Sequence, residues 1–300
     1  MLDVLTGFAI IFTVIAAGWW LAQKKVIGPG DQRLQLNRIA FHVATPALIF
    51  SSVAVSDTDA FFSPVILVIA IATVTTMLIF WAISAVWFKQ DAAETMAGAA
   101  SSSYYNSVNI GLPIATYVLG DPTYVIPPLV LQMSVLSPIV IAGLDRGASG
   151  VLKSVIAGLK APVVVAAFAG FAVSASSWTV PEPVLAPLQI LGGASIPMIL
   201  MSFGASLTGE KVLQSQRLAT TTATILKLIG MPTVAWVVAS LLGLTGSDMY
   251  AALILCALPT AQNVYNYAAT YRSGEVICRD TVFLTTFLSL PAMLLIAGVF

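Results

Sequence analysis

The chain has 300 residues, 58% of them hydrophobic and 9% charged, with a mean hydropathy of +0.95. A soluble domain carries roughly 25% charged residues, so a water-facing globular surface is excluded. Thirteen basic residues balance thirteen acidic ones, and no basic run offers a nucleic-acid partner a footing.

A bilayer core of about 30 Å takes about 20 apolar residues per helical crossing. Ten such stretches are read in chain order, near 4–22, 36–55, 62–88, 95–118, 124–144, 154–174, 183–207, 220–243, 247–270 and 277–299. The first has neither the basic n-region nor the cleavage site of a signal peptide, and reads as a retained span. Trp19, Trp20, Trp87 and Trp178 sit at span ends, as interfacial anchors do. Cys256 and Cys278 give neither a metal spacing nor a disulfide framework.

Charge placement orients the spans. Lys24, Lys25, Arg33, Arg38, Lys89, Arg146, Lys153, Lys160, Lys211, Arg217, Arg272 and Arg279 flank alternate loops, and Lys227 lies nearest the same side. Asp3, Asp57, Asp59, Asp121, Glu182 and Asp248 occupy the opposite loops. The positive-inside rule then puts both termini outside a plasma (inner) membrane.

Prolines recur between the halves. Pro46 and Pro197 differ by 151, Pro113 and Pro259 by 146, Pro138 and Pro291 by 153. Five spans per half, an odd number, turn the second half upside down relative to the first. The expected fold is all-α and integral to the membrane, with an inverted repeat of residues 1–150 and 151–300, as in secondary transporters.

Spans four and nine read as broken. Span four carries Asn106, Asn109, Gly111 and Pro113; span nine carries Pro259, Gln262, Asn263 and Asn266. Backbone breaks in hydrocarbon survive only where protein or a cavity satisfies them. A half-helix starting at mid-membrane offers free N–H groups and about half a positive charge, enough with amide donors to hold a carboxylate. Against this, prolines often only kink membrane helices, and asparagines can serve as interhelical glue worth about 0.6 kcal/mol. The pairing of the two breaks favours a binding site.

His42, the only histidine, is read as a proton carrier or a satisfied interfacial ring, and Lys227 as a cavity cation or a snorkelling side chain. Gln132, mid-span in five, reaches either the cavity or a neighbouring helix. Tyr104, Tyr105, Tyr265 and Tyr267 flank the breaks and line the site, pack, or stack on an aromatic substrate. All thirteen acids fit loops or span ends, which disfavours a proton relay through a buried acid. Coupling to Na⁺ on amides and carbonyls, to H⁺ on His42, or to no ion all fit these residues. With one histidine and no buried acid, an enzyme has little to work with, and a two-fold inverted repeat argues for a closed central site over a channel's continuous pore.

Several segments resemble the auxin efflux carrier family, the bacterial relatives of the plant PIN transporters. Leu36-Asn37-Arg38-Ile39-Ala40-Phe41-His42 with Thr45-Pro46-Ala47 is similar to the family's second span, and Asn106 with Gly111-Leu112-Pro113 to its fourth. Ser195-Ile196-Pro197 with Gly204-Ala205-Ser206-Leu207, Lys227-Leu228 with Pro232, and Ala257-Leu258-Pro259 with Asn263 and Tyr271 resemble spans seven, eight and nine. The resemblance implies the crossover fold of bile acid/sodium symporters and sodium/proton antiporters. It implies a scaffold of spans 1, 2, 6 and 7, often a homodimer surface, and a mobile transport domain of spans 3–5 and 8–10. Spans four and nine would cross at Pro113 and Pro259, with Asn106 contacting a substrate carboxylate. The implied activity is elevator-type transport of a small organic anion, without a cofactor; the alternative is a Na⁺-coupled symporter of the bile acid type. The long cytoplasmic loop of the canal-forming plant members is absent, and Asn263 and Asn266 make this site more polar than theirs.

Overall fold

The computed structural model describes residues 2–28, 35–36, 38–55, 63–145, 156, 160, 162–176, 178–206, 213 and 215–300. Arg33, Asn37, Asp57, Asp59, Arg146, Lys153, Leu207 and Lys211 lie outside the described residues, as does the side chain of Asp3.

The described chain is helical, with a single isolated bridge and no strand. In order come α1 (Leu2–Gln23), α2 (Ala40–Val53), α3 (Pro64–Phe88), α4 (Ala92–Ser103), α5 (107–117), α6 (122–144), α7 (Pro162–Ala175), α8 (Glu182–Gly193), α9 (Ser195–Ser206), α10 (Arg217–Leu241), α11 (Gly246–Cys256), α12 (Gln262–Tyr271) and α13 (Glu275–Val299). Among the described residues, four stretches are long and apolar enough to cross a bilayer: α3, Glu182–Ser202, α10 and α13. Polarity is distributed for lipid rather than water. Leu241 is 82% exposed and Leu295 73%, whereas Lys227 and Asp280 are fully buried. Charges avoid hydrocarbon and seek the protein interior. The chain is a multi-pass integral membrane protein.

Local rules set the ends of these elements. Ser63 and Pro64 open α3, the Ser63 hydroxyl accepting the Val65 N–H, and Asp91 opens α4 by accepting the Glu94 N–H at 2.8 Å. Lys89, with φ of 51°, closes α3.

Prolines inside the helices are absorbed by widening. Wide π turns at Ala40–Ala44, Ser107–Gly111, Gln132–Leu136 and Leu226–Gly230 each end two residues before Pro46, Pro113, Pro138 and Pro232. A proline ring collides with the carbonyl four residues back. Adding one residue to the turn moves that carbonyl aside and keeps the chain helical.

By contact the chain divides into two compact units that interleave along the sequence. The first comprises Met1–Phe62, Leu112–Val130 and Leu159–Glu210. Within it α1 lies directly against α9. A Cβ added at Gly18 would stand 2.1 Å from the Met201 carbonyl oxygen, and one at Gly204 1.9 Å from that of Ile15. Small residues at these points let the two backbones touch. Gly192 on α8 meets the Leu48 backbone and Gly170 on α7 meets Val53, both on α2. Thr45 and Ser195 share a buried hydroxyl–hydroxyl hydrogen bond of 2.7 Å.

The second unit comprises Ser63–Gly111, Leu131–Gly158 and Lys211–Phe300. Its core packs Met96, Ala97, Ala100 and Tyr104 of the α4 segment against Leu136, Val140 and Leu144 of α6. Ala261, Val264 and Ala268 around α12 and Cys278 of α13 complete it. A second cluster joins Phe80, Ala99, Ala219, Ala223 and Ile277. Gly274, with φ of 64°, turns the chain into α13 where a Cβ would strike that of Ala97 at 2.2 Å.

Candidate functional site: a crossing of two interrupted helices

Within the second unit, α4 stops at Ser103 and α11 at Cys256, each in the middle of an apolar span. The extended residues that follow meet as an antiparallel bridge between Tyr105 and Thr260. Asn106 N–H donates to the Pro259 carbonyl at 2.8 Å, and Ala261 N–H to the Tyr104 carbonyl at 2.9 Å. Two breaks thus satisfy each other's peptide groups, which neither span could do alone in hydrocarbon.

Further side chains close the remaining vacancies. The Thr260 hydroxyl donates to the Ser101 carbonyl at 2.6 Å, and Thr260 N–H donates to the Thr285 hydroxyl oxygen at 3.0 Å. Gln132 Nε2 donates to the Tyr105 carbonyl at 2.6 Å, while its Oε1 accepts from the Ser107 hydroxyl. Gln132 therefore bonds the break itself, deciding between its two readings. Lys227 does not snorkel: its ammonium donates to the Cys256 carbonyl at 2.7 Å and lies 3.2 Å from Met231 Sδ. It covers the negative end of α11 just before the break.

The two interrupted segments pair at Tyr105 and Thr260. Pro259 abuts that bridge, but Pro113 lies eight residues past Tyr105, beyond a wide turn and inside the helical segment Leu112–Tyr117 of the first unit. Proline marks where a helix must widen, and here the interruption itself falls earlier.

Asn106 is 4% exposed, and its Oδ1 accepts the Asn109 N–H at 3.1 Å, capping the turn that follows. Gly111 N–H donates to the Asn106 carbonyl at 2.8 Å. Asn106, Asn109, Gly111 and Pro259 are thus bound into one backbone knot. Gln262 and Asn263, both half-buried, begin α12 immediately after the bridge, and Asn266 follows one turn on, exposed. The N–H groups of Gln262 and Asn263 have no partner among the described residues, the usual state of a helix's first turn.

Two side chains sit elsewhere. His42 belongs to the first unit and is exposed, with Nδ1 2.9 Å from the Arg38 carbonyl oxygen. Tyr104 and Tyr105 are fully buried, so neither offers a ring face for stacking; Tyr104 meets Tyr267 edge-on and hydrogen-bonds Ser137. Asp280 corrects the expectation of no buried acid: it is fully buried one turn into α13, where its two partners offset the cost of taking a charge out of water. It accepts from Arg279 and from the Leu213 N–H at 2.8 Å each.

Compared with known protein families, residues 3–145 and 148–297 match the family described as membrane transport protein. The chain belongs to this family. It is the family of the auxin efflux carriers, so the motif resemblance holds over the whole chain, and the protein is a transporter rather than an enzyme. A curated relative in Rhizobium meliloti (strain 1021), named "Putative malonate transporter", is 25% identical over 304 residues, covering 96% of this chain and 93% of the relative.

Proposed function

We propose that this membrane transport protein is a secondary transporter of a small organic anion, a mono- or dicarboxylate, held at the crossing of the two interrupted helices. The observation that carries the reading is the start of α12. Gln262 and Asn263 present first-turn N–H groups with no partner among the described residues beside the Tyr105–Thr260 bridge. Oriented N–H groups at a helix start attract a carboxylate without a fixed cation. Amide side chains of Asn106, Asn109, Gln262, Asn263 and Asn266 supply further donors, and the Lys227 ammonium adds positive potential behind α11. The name of the Rhizobium relative makes malonate the first ligand to try.

In this reading the second compact unit carries the substrate and is the moving body of an elevator, and the first unit is the static scaffold and homodimer surface. Ten spans in two inverted halves, with both termini outside, supply the symmetry that alternating access requires. The test is malonate uptake into proteoliposomes, with a panel of other carboxylates, in Na⁺ and in K⁺. Saturable uptake abolished by Asn106→Asp supports the site, whereas uptake unchanged in that variant removes it. A strict Na⁺ requirement would favour the symporter of the bile acid type.

A further inference from the structure

Gln132 has no part in binding in the reading above, yet both ends of its amide hold the site. It is 2% exposed on the wide turn Gln132–Leu136. Its two ends hold residues on either side of Asn106: Nε2 takes the Tyr105 carbonyl at 2.6 Å, and Oε1 takes the Ser107 hydroxyl. An amide offers a donor and an acceptor at a fixed separation. Holding both neighbours therefore restricts the backbone rotations at Asn106, whose own N–H is bound to Pro259.

We propose that Gln132 is a positioning residue for the substrate site, setting the direction in which Asn106 and Asn109 face a bound carboxylate. The proposal rests on the carboxylate reading of that site. Thr285 does the matching work at the other break, accepting the Thr260 N–H at 3.0 Å while donating to the Thr281 carbonyl at 2.7 Å. Gln132 and Thr285 are 153 positions apart, the spacing of Pro138 and Pro291. A clamp reaching each break from the helix on the same spacing is a designed pair rather than a stray contact. The apolar packing between α4 and α6 runs through Met96, Ala100, Leu136 and Val140 and does not pass through the amide. Losing the amide should therefore release the bracket around Asn106 without parting the helices.

The experiment uses full-length protein carrying Gln132→Leu, Gln132→Glu or Ser107→Ala. In proteoliposomes the half-saturating malonate concentration should rise roughly 10-fold or more in Gln132→Leu, with the maximal rate within about twofold of wild type. Ser107→Ala added to Gln132→Leu should change it by less than about twofold, because the shared bond is already gone. Hydrogen–deuterium exchange of the peptide spanning 104–111 should accelerate about 10-fold in both Gln132 variants, with α13 peptides unchanged. Unchanged exchange at 104–111 in either folded variant overturns the proposal. Loss of folding in both variants, with Ser107→Ala binding as wild type does, also overturns it in favour of a purely structural amide. Wild-type protein that takes up no carboxylate would sink the proposed function instead, while the exchange measurement still reports on the clamp.

Discussion

Tyr105 and Thr260 stand 155 positions apart in sequence yet pair as two strands of one bridge, with reciprocal peptide bonds on either side. Interrupting a single helix in a membrane leaves several peptide groups without partners. Interrupting two at one point lets each interruption complete the other.

In the proposed reading Asn106 both caps Asn109 and binds substrate, two roles that mutation can separate. Asn106→Ala removes both the amide and the cap on Asn109, and should lower stability by about 1 kcal/mol while abolishing binding. Asn106→Ser keeps a capping oxygen, and should retain most of that stability and still lose binding. Thermal unfolding in detergent beside malonate binding distinguishes them.

Lys227 is buried among α10 and α11 with a carbonyl as its main partner. Lys227→Glu would place a carboxylate against the Cys256 carbonyl and the negative end of α11, costing about 3–5 kcal/mol. Lys227→Met removes the charge at similar size and should be the milder change in unfolding. The yield of monodisperse protein and its melting temperature read both.

Thr285→Val preserves shape but strips the oxygen that accepts the Thr260 N–H. A buried N–H left unpaired costs about 1–3 kcal/mol. Thermal unfolding should register that loss, and exchange at 259–261 should quicken.

Gly204→Ala would set a methyl group 1.9 Å from the Ile15 carbonyl oxygen, so α1 and α9 must part. Overpacking of this kind costs about 1–3 kcal/mol. Gly193→Ala meets nothing within 4 Å and serves as the matched control. Comparing their melting temperatures isolates the close approach from any general effect of the substitution.

Much of this arrangement could be read before any coordinates. Composition required a membrane, and the amides crowded around Asn106 and Asn263 marked the two places where spans fail as helices. Pro113 alone does not locate an interruption, because a proline constrains the carbonyl four residues back and a wide turn can meet that constraint without a break. Gln132 and Lys227 stayed ambiguous because hydropathy says that a polar side chain is costly in a span, and nothing about which neighbour relieves it. The peptide groups that found each other at Tyr105 and Thr260 have no side-chain signature at all. The compact units gather helices from both sides of residue 150, a grouping that hydropathy along the chain does not show.

The reciprocal peptide bonds also bear on how this protein can be assembled. Tyr104 and Asn106 are made early and Pro259 and Ala261 late, so the first interruption must wait in the bilayer, its peptide groups unmet, while some 150 further residues are inserted. A polypeptide cut in the loop between the fifth and sixth apolar stretches would yield two fragments, each with a raw backbone edge inside lipid. Neither should persist alone, and co-expression in one membrane should rescue both.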